Sequence, residues 1–266
     1  MVFALGPALA PVVGGWVHVW AGWRAVFGTM AALGLMLFVV AWFRLPETHP
    51  PDKRTEFHPM VLARGIAHVL ADRRFQLMIA SSVLCFISLH AYLGSAPAIV
   101  LDHWHLGETQ FGMLSIPIIG GYTLGAYITG KSAGRIDPER IIRWGYNGTL
   151  LINLLMLALQ YLVPHPPIFL QQVLLAATAM SVQFIFPVIT LRILDLFPEA
   201  RGTASSAQMF FSLMMSAIMM GVVAPWLSVT MQRMALSCLA MTVIGWLLWF
   251  FKLRQPPGKA AGTPGH

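Results

Sequence analysis

Eight apolar runs occupy most of the chain, at residues 3–20, 24–43, 75–101, 107–129, 141–163, 167–191, 203–227 and 234–251. At 18 to 27 residues, such runs match the helical length that crosses a hydrocarbon core of roughly 30 Å. A bilayer offers no water to backbone N–H and C=O groups, so each run must satisfy its own backbone as a helix. The runs therefore predict an all-α, polytopic membrane protein. Composition agrees: of 266 residues, 57% are hydrophobic and only 10% charged, against about 25% charged in soluble domains.

The formal net charge of +7 could signal nucleic acid, but the basic residues are sorted by position. Fifteen of the seventeen Lys and Arg fall in or at the edge of the connections between runs two and three, four and five, and six and seven, or after run eight. Only Arg24 and Arg233 lie in the other set of turns. The positive-inside rule makes the basic side cytoplasmic and places both termini of this chain there. The charge reports topology, and no nucleic-acid partner is expected. Cys85 and Cys238 lie inside apolar runs, as inert packing residues without a disulfide framework. The first run lacks a basic flank, so no cleavable signal is expected.

The runs are unevenly grouped. Runs one and two are joined by a tight turn, "HVWAGWRAVF", with Trp20 and Trp23 at interfacial positions. A polar, Pro-rich stretch, "RLPETHPPDKRTEFHP", then leads into "MVLARGIAHVLADRR". In the latter, Val61, Leu62, Ile66, Val69 and Leu70 recur at helical spacing, which predicts an amphipathic surface helix. Six further runs follow with short connections. Two runs, a linker and six runs resemble the end of one half and the whole of the other half of a twelve-span transporter built from repeats. The expected organisation is thus 1–44 as the last two helices of an N-terminal bundle, 45–74 as a cytoplasmic linker with an amphipathic helix, 75–252 as a six-helix C-terminal bundle and 253–266 as a cytoplasmic tail. Four earlier spans are expected to belong to the intact protein.

The opening "FALGPALAPVVGGWV" carries helix breakers that an ordinary span avoids. Gly6, Pro7, Pro11, Gly14 and Gly15 resemble the antiporter motif of the fifth span in major facilitator drug:proton antiporters, with Ala10 standing where that family usually has Gly. "RLPET", "SAPAIVLDHWHLGETQFGMLSIPIIGG" and "LFPEARGTASSAQMFFSLM" are similar, in order, to later segments of the same family. The resemblance is closest to the MdfA-type multidrug exporters, chloramphenicol/proton antiporters among them, with Bcr/CflA relatives nearby. It implies a major facilitator fold in which this chain supplies helices five to twelve, eight of twelve. It further implies a kinked first helix at the boundary between the halves, residence in the bacterial inner membrane, and exchange of lipophilic drugs for protons by alternating access. Its partners would be drugs, protons, the lipid bilayer and the missing N-terminal helices. No cofactor and no metal is implied.

A drug cavity must be apolar, adaptable and sparsely polar. By the resemblance, Leu89, Tyr92, Leu93 and Tyr122 would face it. Gln183 and Gln208 sit inside apolar helices, where an unpaired amide costs a few kcal/mol, so they should face protein or the cavity. Phe211 shares the face of Gln208. Each could instead serve a helix–helix contact. Met209, Met214, Met215, Met219 and Met220 read as lipid-facing filler. The Gly121/Gly125 and Gly130/Gly134 pairs read as close-packing sites. "GKSAGRIDPERI" weakly resembles the family's cytoplasmic-loop motif, but Gly134 replaces a customary acid, so it reads as a solvated basic turn. His90 reads as an interior histidine satisfied by a neighbour, and Asp102-His103-Trp104-His105 as an interfacial turn.

No Asp or Glu lies deep in any run. A proton antiporter needs a titratable group that responds to burial and substrate; in the family that carboxylate lies in the first span, and its partner Arg in the fourth. No phosphate-binding loop appears, so ATP is not the expected driver. Three alternatives stand beside the exporter. A proton-coupled uptake symporter would need more buried hydrogen-bonding side chains. An intramembrane enzyme would need a converging catalytic cluster at membrane depth. The third is an inactive truncated fragment.

Overall fold

The computed structural model describes residues 2–45, 59–107, 110 and 112–253, with the backbone alone at 2–12, 59, 61–63 and 252–253. Helices carry nearly all of these residues: α1 (Val2–Arg44), α2 (Pro59–Ala71), α3 (Arg73–Gly94), α4 (Gly112–Ser132), α5 (Pro138–Leu162), α6 (Ile168–Leu196), α7 (Arg201–Ile218), α8 (Ala224–Leu227) and α9 (Met231–Leu253). Two π-helical segments, Ala98–His103 and Met219–Val223, follow α3 and α7. The all-α class of a membrane protein holds. By length and apolarity, five stretches of the described residues qualify as spans: Val13–Arg44, Arg73–Gly94, Ile168–Leu196, Pro198–Leu227 and Met231–Phe251. The count of eight read from the sequence is therefore not reached on that criterion. The first two runs merge into one stretch, and α4 and α5 do not qualify.

The chain divides into two compact units, Val2–Arg64 and the residues from Gly65 onward. In the first, the helical dihedrals of α1 break at Gly22, with φ 80° and ψ 171°. That region is essentially reserved for glycine, and Gly22 lies in the turn expected between runs one and two. Pro7 and Pro11 sit within helical backbone. Aromatic pairs flank the break at i, i+4 spacing: Trp16 with Trp20 at 5.4 Å and Trp23 with Phe27 at 6.1 Å.

In the second unit, helix starts follow from local chemistry. Asp72 caps α3, its Oδ1 accepting from the Arg74 and Phe75 amides at 2.7 and 3.1 Å. Asp137 caps α5, with Pro138 in the first turn, where its missing N–H costs nothing. The preceding turn passes through Gly134 at φ 74°, which gives a conformational reason for glycine where an acid is customary. The far end of α2 docks by Val69, fully buried, and by His68 set edge-on to Phe197 at 6.4 Å.

The bundle is knit by small and polar residues, as expected where lipid provides no hydrophobic drive between helices. α6 packs against α3, α4, α5 and α7, while α9 packs against α3 and α5. Gly121 and Gly125 of α4 rest on the α6 backbone; a Cβ at Gly121 would overlap the Ala176 carbonyl, and one at Gly125 would stand 2.6 Å from the Met180 carbonyl oxygen. A Cβ placed on Gly130 or Gly134 would meet nothing within 4 Å among the described residues, so they make no such contact. The Ser81 hydroxyl bonds the Tyr146 hydroxyl and donates to the Gly245 carbonyl at 2.9 Å, joining α3, α5 and α9. Asn153 donates to Thr242 at 3.0 Å. Cys238 donates to the Ser88 carbonyl at 3.1 Å. After α7, Met220 fills the space that a side chain at Gly94 would need.

Candidate functional site

On α3, Phe86, His90 and Leu93 recur at i, i+4 and i+7 and are all half-buried, so one face of the helix is neither sealed nor open. Phe86 stacks on Phe186 of α6 at 4.7 Å, and His90 lies 4.2 Å from Phe86. His90 Nδ1 is 2.9 Å from the Phe86 carbonyl. A carbonyl only accepts, so Nδ1 carries the hydrogen and the neutral ring keeps Nε2 as an acceptor. One turn beyond Phe186, the Thr190 hydroxyl donates to the Phe186 carbonyl at 2.8 Å and accepts from Gln208 Nε2 of α7 at 2.9 Å. His90, Phe86, Phe186, Thr190 and Gln208 thus form a continuous path of contacts across α3, α6 and α7.

The inner face of α7 continues this polarity. Ala204, Gln208, Ser212 and Ser216 recur every fourth residue and are buried. Ser212 donates to the Gln208 carbonyl at 2.8 Å. Phe211 is half-buried beside them. A face with stacked rings and one half-buried imidazole suits a largely apolar ligand bearing a polar handle.

The expected site residues are distributed unequally over this surface. Leu89 and Tyr92 are buried in the core, with the Tyr92 ring reaching toward Cys238. Leu93 stands on the half-buried face of α3. Tyr122 is half-buried, and its hydroxyl is sealed with no hydrogen-bond partner among the described residues. Gln183 is half-buried at the α4–α6 contact, where its carbonyl accepts from Thr129 at 3.3 Å. Gln208 is buried and satisfied by Thr190. The sequence reading missed Phe86, Phe186 and Thr190. Their spacing on each helix is visible, but the stacking of α3 on α6 is a tertiary fact. For the antiporter motif, the backbone of Gly6, Pro7 and Pro11 is helical and their side chains lie outside the described residues. Within its own unit, nothing stands within 4 Å of a Cβ placed on Gly14 or Gly15. The stretch 46–58 and the tail beyond 253 also lie outside the described residues.

The described carboxylates sit at helix ends. Asp72 and Asp137 are caps. Glu139 pairs with Arg192 at 3.5 Å, and Asp195 with Arg201 at 3.7 Å. Among the described residues, no three His, Cys, Asp or Glu side chains gather to hold a metal.

Known proteins bear on this architecture. The chain is 30% identical over 160 residues to a multidrug transporter MdfA of Yersinia pestis, covering 59% of this chain and 38% of the relative. It is 32% identical over 148 residues to the protein of that name from Edwardsiella ictaluri, covering 54% and 35%. It is 23% identical over 260 residues to a bicyclomycin resistance protein homolog of Haemophilus influenzae, covering 94% and 63%. The chain therefore spans between about a third and two thirds of the length of these relatives. A family model described as Major Facilitator Superfamily matches residues 1–219. With most of its length matched, and with apolar helices packed through small residues, the chain belongs to the Major Facilitator Superfamily, a family of multi-pass membrane transporters rather than of enzymes.

Proposed function

We propose that this chain forms helices five to twelve of a multidrug exporter that exchanges lipophilic drugs for protons across the bacterial inner membrane by alternating access. The observation that carries the proposal is the path from His90 through Phe86, Phe186 and Thr190 to Gln208. Rings that stack on a ligand face tolerate many shapes, while the half-buried imidazole holds a polar handle. The names of the relatives, multidrug transporter and bicyclomycin resistance homolog, point to the same substrate class. On this proposal residues 1–44 close the N-terminal bundle and the segment 45–74 bridges the halves on the cytoplasmic side, with both termini of the chain cytoplasmic. Leu93, Gln183 and Phe211 line the cavity, Tyr122 borders it, and Leu89, Tyr92 and Gln208 support its wall from behind. The motif Gly6, Pro7, Pro11, Gly14 and Gly15 packs against a partner helix at the boundary between the halves. Proton coupling is assigned to helices that precede this segment, because a membrane-depth carboxylate is lacking in its apolar runs.

Binding of a fluorescent lipophilic drug such as ethidium to the purified chain in nanodiscs tests the cavity. Phe186→Ala should weaken binding about tenfold, the equivalent of about 1.4 kcal/mol; unchanged affinity in both Phe186→Ala and Phe86→Ala would remove this face from the site. Reconstitution of the 266-residue chain alone tests coupling. No proton-driven export is expected, and measurable exchange would place the coupling group within this chain.

A further inference from the structure

At the end of the bundle opposite the basic turns around Arg135 and Arg201, a cavity of about 320 Å³ opens among α5, α6, α9 and the Ala98–His103 segment. That size falls within the roughly 300–1,000 Å³ of small-ligand pockets. His103, Trp104, Gln160, Gln171 and Gln232 supply its polar side chains, together with His165 on the rim. Among the described residues, no Lys, Arg, Asp or Glu lines it.

The hydrogen bonds decide which atoms remain for a ligand. The Trp104 indole N–H can only donate, and it does so to Gln171 Oε1 at 3.3 Å. The Pro166 carbonyl can only accept, and it does so from Gln171 Nε2 at 3.0 Å. Together they fix the Gln171 amide. Its oxygen also accepts from Gln160 Nε2 at 3.1 Å, which leaves Gln160 Oε1 over. Gln232 Nε2 donates to the Gln160 backbone carbonyl at 3.1 Å, leaving Gln232 Oε1. His103 Nε2 lies 2.7 Å from the Ser228 carbonyl and must carry the hydrogen there, so a neutral ring keeps Nδ1 as an acceptor. The Gln160 and Gln171 amides and the Trp104 indole are only 6%, 4% and 7% exposed, while Gln232 is half-buried. The rim loop, Pro164-His165-Pro166-Pro167, is rich in carbonyls and poor in N–H groups because proline has none.

The geometry points to a second ligand site here, separate from the α3–α6–α7 face, that binds a small organic ammonium. Its N–H groups meet Gln160 Oε1, Gln232 Oε1 and His103 Nδ1, and its apolar body lies against Trp104, Ile168 and Met231. The Trp104 indole and Gln160 Nε2 are already engaged. Gln171 Nε2, Gln232 Nε2 and the Thr230 hydroxyl each keep a hydrogen, but these are neutral groups, and the three open acceptors complement a charged N–H donor. The competing donors are first-turn N–H groups of α6 and α9, which a carboxylate would prefer. Ligand charge therefore discriminates.

The test is calorimetric titration of the purified chain in zwitterionic nanodiscs with phenethylammonium and with phenylacetate, which share an aromatic body and differ in charge. Phenethylammonium should bind saturably, at least tenfold tighter than phenylacetate. His165→Asp and His165→Arg lie on the rim outside the amide chain; the first should tighten ammonium binding several-fold and the second weaken it. Gln232→Leu should weaken it about tenfold. Tetraphenylphosphonium has no N–H and should not displace the ammonium. Equal or tighter phenylacetate binding, no saturable ammonium binding, indifference to all three substitutions, or displacement by tetraphenylphosphonium would each overturn the assignment. None of these outcomes depends on whether Phe186 and Phe86 bind drugs.

Discussion

Adding one methyl group at Gly125 tests whether α4 and α6 pack backbone to backbone. In Gly125→Ala, the new Cβ would stand 2.6 Å from the Met180 carbonyl oxygen and 2.8 Å from Gln183 Cβ, whereas ordinary contacts fall at 3.4–4 Å. One of the two close atoms is backbone, so the helices must separate by more than half an ångström or tilt. Overpacking of this kind costs about 1–3 kcal/mol. Alanine recovers up to about 1 kcal/mol of helix propensity over glycine, so the net loss is about 0–2 kcal/mol, while the loss relative to an alanine that meets no contact is the full 1–3 kcal/mol. For a body of this size each kcal/mol lowers Tm by roughly 2–4 °C. The molecule supplies its own reporter, because Cys85 and Cys238 are both buried free thiols. A thiol-reactive fluorophore therefore reads thermal unfolding in detergent directly. Gly130→Ala is the matched control, on the same helix with nothing within 4 Å, and should leave Tm unchanged or raise it slightly. A Gly125→Ala protein at least as stable as Gly130→Ala would refute the close packing of α4 on α6.

Other expectations follow from single contacts. A double-mutant cycle on Gln208→Leu and Thr190→Val should give a coupling of about 0.6 kcal/mol, up to about 1.7, as for hydrogen bonds between membrane helices; additive unfolding free energies would dissolve the link between α6 and α7. Asp72→Ala should cost about 1 kcal/mol through loss of the α3 cap, and Asp72→Asn much less; equal thermal stabilities of the two variants would deny the cap. In the folded protein both cysteines should resist maleimide for the length of the assay, with two thiols appearing on denaturation. Modification without unfolding would contradict their burial.

Much of this architecture is legible from residue order alone. The apolar runs place the helices, and the turn expected at "HVWAGWRAVF" contains the break at Gly22; the caps Asp72 and Asp137 are not singled out, although each acts only on its near neighbours. The pairing of Gly121 with Gly125 also reads correctly as a packing site, yet the same pattern at Gly130 and Gly134 meets nothing. What separates them is the presence of Ala176 and Met180 opposite one pair, which is a property of α6. The site divides in the same way. Gln208 announces itself as an amide in an apolar helix, whereas Phe86 and Phe186 look like ordinary filler until α3 and α6 are laid together. Tyr92 and Leu89 show the converse: their neighbours in sequence face the half-buried side, but a rotation of about 100° per residue turns them inward. The polar cavity at the other end escaped the sequence reading because Gln160, Gln171 and Gln232 each stand within a turn of a helix end, where an amide reads as one satisfied by water.

The Ala98–His103 segment closes its backbone over five residues rather than four, as in the bond from the Trp104 amide to the Ile99 carbonyl at 2.8 Å. A wider turn stores a residue that an ordinary α-turn would not need. Shortening this stretch by one amino acid could thus be absorbed by tightening the coil, while swinging Trp104 away from the glutamine it now steadies. The exit of α3 is consequently a place where chain length itself, independent of side-chain identity, sets which groups face the outer cavity.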